Sequence, residues 1–155
     1  MQRPVMNLVN AAICGLAVWA TPVQAGPDRF SILLGSKHIG ASGFHEVNPG
    51  VFATWEGEKL GYSIGAYVNS YKRGSVAVAA HLPLFQWEKG GVSAFGGLAW
   101  YPGDGHRFKT HLGNDIVGIG GLELRHGHVY VQFLPNDAGG ARGLVTLGLT
   151  WDVGQ

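Results

Sequence analysis

From Phe30 to Val153 the chain alternates apolar residues with small or polar ones at period two, the spacing of a strand with one apolar face. No stretch after the first 25 residues holds a helical period. Phe30, Ile32 and Leu34 alternate with Ser31, Leu33 and Gly35 in a first strand, and Val51, Ala53 and Trp55 mark a second. Tyr62, Ile64, Ala66 and Val68 alternate with Ser63, Gly65, Tyr67 and Asn69 in a third; Val76, Val78, Ala80 and Leu82 mark a fourth. A fifth is expected over 91–100, a sixth over 113–124 and a seventh over 128–134. The eighth sets Val145, Leu147, Leu149, Trp151 and Val153 against Leu144, Thr146, Gly148 and Thr150.

The connections alternate in length. Glu56 to Lys59 and His126-Gly127 read as tight turns, with a somewhat longer one from Pro83 to Lys89. Between them lie Ile39 to Asn48, Tyr71 to Gly74, Tyr101 to Leu112 and Pro135 to Ala141. Short turns at one end and mostly longer loops at the other are the pattern of outer-membrane barrels. Trp55, Tyr62, Trp100, Tyr101 and Trp151 fall near strand ends, where aromatic girdles form. The expected fold is therefore all-β, an eight-stranded antiparallel up-and-down barrel crossing a bacterial outer membrane. A soluble barrel of the lipocalin type shares the strand number, but it would place polar residues outside and apolar ones within. In strands three, four and eight the second face is small or polar, as a narrow lumen requires.

Residues 1–25 read as a signal peptide ahead of a barrel domain over 26–155. Arg3 is basic, Leu8 to Ala20 is apolar but too short to span a bilayer, and Val23-Gln24-Ala25 suits cleavage. The only cysteine, Cys14, falls inside this leader, so the domain carries no thiol or disulfide. Without Arg3, ten Lys and Arg balance ten Asp and Glu, and nothing in the charge suggests a nucleic-acid partner. The 26 glycines show no collagen period and mark places where bulk is excluded.

Seven histidines raise the question of a metal, yet none falls in the close multi-ligand spacing of a zinc site. No metal and no cofactor is expected. His38 and the pair Asn69-Ser70 fall at the same end of the barrel, at the tops of strands one and three. An imidazole within reach of a hydroxyl is the minimal apparatus of acyl transfer, whereas Asn and Ser in a loop are also ordinary turn formers.

Three stretches strengthen the first alternative: Ser36-Lys37-His38 followed by a loop into Pro49-Gly50, Gly65-Ala66-Tyr67-Val68-Asn69-Ser70, and Val131-Gln132-Phe133-Leu134-Pro135. In order and spacing they resemble the outer-membrane lipid A palmitoyltransferases, the PagP family, in a shortened form. The resemblance implies a monomeric membrane enzyme that moves a palmitoyl chain from phospholipid to lipid A. It carries the catalytic His to His38 and the Ser to Ser70, and it places Asn69 where the family has Asp. An amide orients an imidazole but cannot stabilise its cation as a carboxylate does. A barrel that binds lipid without turning it over, or a structural barrel, is the alternative that this exchange leaves open.

Alternation directs Ser63, Gly65, Ala77, Ala79, Ser93, Gly97 and Ala99 into the lumen. All are small, and eight strands leave room for side chains or one slim ligand. Either they leave a slot for an acyl chain, or Tyr67, Phe95 and neighbouring inward aromatics fill it.

Overall fold

The computed structural model describes residues 26–135 and 138–153; the leader read over Met1–Ala25 lies outside the described residues. Eight strands run in chain order: β1 (Arg29–Ile39), β2 (Val47–Trp55), β3 (Gly61–Val68), β4 (Gly74–Trp87), β5 (Gly90–Trp100), β6 (Ile116–His126), β7 (Val129–Leu134) and β8 (Gly143–Asp152). Each pairs antiparallel with the next and β8 pairs with β1, closing an all-β barrel. No α-helix occurs among the described residues; two single 3₁₀ turns sit in the β5–β6 and β7–β8 loops.

Two bulges move the pattern read from the sequence. The β1 register shifts between Leu33 and Gly35, so Arg29, Ser31 and Leu33 face inward below the shift and Ser36 and His38 above it. In β4 the shift lies between Pro83 and Phe85. The stretch expected to turn at Pro83 therefore stays in the sheet as far as Trp87, and the β4–β5 connection shrinks to Glu88-Lys89. A bulge is where a sheet accepts a residue that cannot donate to the ladder.

The outward face is apolar over its whole circumference. Ile32, Val51, Ile64, Val78, Leu98, Leu122 and Leu147 are all exposed at mid-strand. Among the described strand residues, Lys37, near the margin of β1, carries the one Lys, Arg, Asp or Glu side chain turned away from the lumen, while Asp152 lies opposite Arg29 and pairs with Arg125. Phe30, Trp55, Tyr62, Phe85, Trp87 and Trp151 ring the end with the short turns, hereafter the turn end. Tyr101, expected in an outer girdle, instead points inward and is buried. It follows the outward Trp100 by one residue, and its backbone N–H donates to the Asp115 carbonyl at 2.6 Å.

Polar side chains inside the turn end satisfy one another. The Arg29 guanidinium lies 3.0 Å from Glu56 and 3.3 Å from Glu123. Gln132 donates to Glu123 at 2.8 Å, and Ser31 and Thr150 share a hydrogen bond of 2.9 Å. Removing one member of a buried ion pair leaves the other charged and unpaired. Glu123→Ala should thus cost about 3 kcal/mol, read from urea unfolding followed by tryptophan fluorescence; a loss under about 1 kcal/mol would show that Glu56 alone satisfies Arg29.

Candidate functional site

The loop end is organised around buried amides and rings. The β1 bulge turns His38 inward, where its ring is 4% exposed and stacks on Phe44 at 3.9 Å. Phe44 meets Tyr71 edge-on at 6.0 Å, Tyr71 meets Phe108 at 6.4 Å, and Phe108 meets Tyr101 at 4.7 Å. Burial pushes the Tyr71 phenol up from its ordinary pKa, against the pull of Arg107, which sits 5.1 Å from its ring centre. Asn48 fastens two loops together: its amide donates to the His45 and Val68 carbonyls at 3.2 and 3.0 Å and its oxygen accepts from Ser36. The His45 backbone N–H donates to the Ser70 carbonyl at 3.0 Å.

Asn69 is fully buried and holds its own turn. Its side-chain oxygen accepts from the Tyr71 and Arg73 backbone N–H groups at 2.9 and 3.1 Å, and its amide donates to Ser75 Oγ at 2.9 Å. That turn puts Lys72 at φ 63°, a conformation that non-glycine residues adopt only when held there. An orienting bond from Asn69 to His38 is the role implied by the catalytic reading. No such bond is formed, because both polar atoms of Asn69 are engaged within residues 69–75. His38 Nδ1 is buried without a partner. The β1–β2 loop and the β3–β4 turn are therefore brought together, with His38 stacked on Phe44 of that loop and the Ser70 carbonyl of the turn accepting from His45 of the same loop.

Beneath Ser70 lies a lumen cavity of about 100 Å³. Asn69, Ser70, Ser63, Ala77 and Ala79 line it, as do Phe52, Tyr67, Phe95 and Tyr101. The other small residues expected there are used differently. Gly65 lies flat under the Phe52 ring, Gly97 lies against the β4 backbone at Val78, and Ala99 packs with Ala77, Tyr101, Phe108 and Val117. Ser93 lines a separate space of about 60 Å³ at the turn end. A cavity of ~150 Å³ holds benzene, so on the same scale a sixteen-carbon chain needs roughly 400 Å³. The inward aromatics thus fill most of the slot that the small residues would have left.

A larger space, unforeseen from the sequence, opens in the barrel wall. β6 and β7 pair only over Leu122–His126 and Val129–Phe133, leaving the upper half of β6 without a β7 partner. Part of that edge is covered by the β5–β6 loop, through the Gly118 N–H to the Thr110 carbonyl and Thr110 Oγ1 to the Gly118 carbonyl, both 2.9 Å. Beside Ile119 and Gly120 no strand among the described residues takes the place of β7, and a cleft of about 620 Å³ lies there. Lys109 and Arg142 line it at the loop end, and Tyr101, Ile119, Leu134 and Leu144 line both the cleft and the lumen cavity. The sequence signals were Pro135, which ends β7 early, and the run Gly118-Ile119-Gly120-Gly121.

No protein-family model matches the chain, and no curated protein matches it. The resemblance to the palmitoyltransferases therefore rests on the residues that carry it.

Asn69→Ala should destabilise the protein by about 2 to 3 kcal/mol, since two backbone donors and the Ser75 hydroxyl lose their buried partner. Asn69→Asp keeps the acceptor for both backbone groups, and Ser75 can turn its hydroxyl to donate. Urea titration should separate the two variants; equal, small losses would show that the turn stands without the side chain.

Proposed function

We propose that the protein is an outer-membrane barrel that draws an acyl chain from the surrounding lipid through the β6–β7 cleft and transfers it from phospholipid to lipid A. The observation that carries this reading is that the cleft and the lumen cavity adjoin, with Tyr101, Ile119, Leu134 and Leu144 lining both. An opening in the wall of a barrel with an apolar outer face meets lipid tails rather than water. The cleft is large enough for a long chain, although the inner cavity admits only its first few carbons unless Tyr67 and Phe52 turn aside.

The chemistry falls to His38 and Ser70. His38 takes a proton from the attacking hydroxyl, either that of Ser70 or that of the acceptor sugar lipid. The oxygen then attacks the ester carbonyl, and the proton passes to the departing lysophospholipid alkoxide. Where Ser70 attacks, the acceptor hydroxyl next gives its proton to His38 and attacks the acyl-serine, and His38 returns the proton to Ser70 Oγ as the acyl group leaves on lipid A. Arg142 and Lys109, at the mouth of the cleft, suit a lipid phosphate as it approaches. Asn69 serves by fixing the turn that presents Ser70, a positioning role that an amide fills as well as a carboxylate. Asn69 also favours a second reading, a barrel that holds lipid without turning it over, because its engagement with the turn leaves His38 without a third group to orient it.

Both readings require membrane residence, which is tested first. The protein should fractionate with outer membranes and migrate faster on unboiled gels, and Leu147→Arg should cost about 2 to 4 kcal/mol at its lipid-facing position. Recovery as a soluble periplasmic monomer would sink the assignment. In cells expressing the protein, mass spectrometry should find lipid A heavier by one acyl chain, and His38→Ala should abolish the addition while the unboiled gel shift persists. An unmodified lipid A with a folded parent barrel would favour the binding reading instead.

A further inference from the structure

A second pair of groups suited to acyl chemistry lies deeper in the lumen, on the cavity that Ser70 also lines. Ser63 of β3 and His81 of β4 both face inward, and Ser63 Oγ stands 2.8 Å from His81 Nε2. In the β3–β4 register Ser63 lies opposite Ala79 and Gly61 opposite His81, so the two side chains meet on the diagonal. His81 is 8% exposed, its ring lies 5.9 Å from that of Phe95, and its Nδ1 is buried without a hydrogen-bond partner. A hydroxyl held within reach of an imidazole is the arrangement that activates a serine nucleophile, and an orphaned ring nitrogen in a native interior calls for an explanation.

The space around the pair is divided by polarity. His81 borders three cavities in line along the barrel. The first is the apolar cavity of about 100 Å³ on the loop side, and the second is a space of about 40 Å³ shared with Ser63, Arg29 and Thr54. The third, of about 60 Å³, is lined by Arg29, Glu56 and Arg125 at the turn end. We propose that Ser63 and His81 form a nucleophile and base pair that cleaves short-chain acyl esters admitted from the turn end of the barrel. The acyl group lies in the apolar cavity, whose size limits it to about four carbons on the benzene scale. Its carbonyl lies in the middle space, where Arg29 and Thr54 supply donors for the oxyanion.

The reaction balances with water as the only co-reactant. Ser63 Oγ bonds to the ester carbonyl carbon as its proton passes to His81 Nε2. The carbon–oxygen bond to the alcohol then breaks, and His81 returns the proton to the departing alkoxide. Water attacks the acyl-serine ester, gives its proton to His81, and releases a carboxylic acid as Ser63 recovers its hydrogen.

The test treats the purified, detergent-folded protein with a small alkyl fluorophosphonate and maps the modified residue by mass spectrometry. Label is expected on Ser63, and its rate should fall by about a hundredfold or more in His81→Gln, a variant that keeps a polar side chain beside Ser63. Hydrolysis of p-nitrophenyl butyrate should exceed that of the palmitate ester and disappear in Ser63→Ala. The labelling of the unaltered protein decides the matter even if a variant fails to fold. No label on any serine, or label on Ser70 alone, overturns the proposal; label on Ser70 alone would at the same time support the loop-end site.

Discussion

Closing eight strands leaves a lumen only about as wide as the side chains that fill it, and the interior is arranged around that limit. Where a ring leans over the neighbouring strand, bulk is missing: a side chain at Gly148 would collide with the Tyr130 ring and the Ile32 carbonyl of the two adjacent strands. Where polar atoms must enter, they arrive in mutually satisfied sets, Arg29 with Glu56 and Glu123 at the turn end and Asn48 and Asn69 at the loop end. Buried polar groups without such partners carry a heavy cost. The two imidazole nitrogens left without partners, on His38 and His81, therefore stand out.

The limit is relaxed at the β6–β7 seam. β7 has six residues against eleven in β6, so the ladder between them stops halfway up the wall. Backbone groups left open at a sheet edge seek partners, and Thr110 folds back to bond both backbone groups of Gly118. What stays open beside Ile119 and Gly120 adjoins the lumen cavity, with Tyr101, Ile119, Leu134 and Leu144 lining both spaces. The same shortage of strand that weakens the wall thus sets a cleft beside the lumen cavity, where the proposed lipid route would run.

Strand number, order and the direction of each face could be read from alternation, because the apolar outer surface repeats it on all eight strands. The bulges could not. The shift at Leu33/Gly35 carries His38 to the inner face, and Gly35 is its one compositional sign, shared with many glycines here that mark no bulge. Pro83 reads as a turn residue and stays in the sheet because a bulge accommodates it. His38, Asn69 and Ser70 were placed at the correct end, since loop positions follow from strand order. The bonds of Asn69 were not foreseen, because an Asx side chain chooses between a neighbour and its own backbone according to burial. The cleft escaped notice because it arises from a pairing that is missing, and only the register of two strands reveals it.

The lateral route is tested most directly by photo-crosslinking. The protein is reconstituted with a phospholipid whose acyl chain carries a diazirine near its ester, and the modified residues are mapped after illumination. If the chain enters between β6 and β7, label should collect on Ile119, Leu134 and Leu144, which face both the cleft and the lumen cavity. Label confined to the outward band, at residues such as Leu147 and Ile64, would mean that lipid surrounds the barrel without entering it.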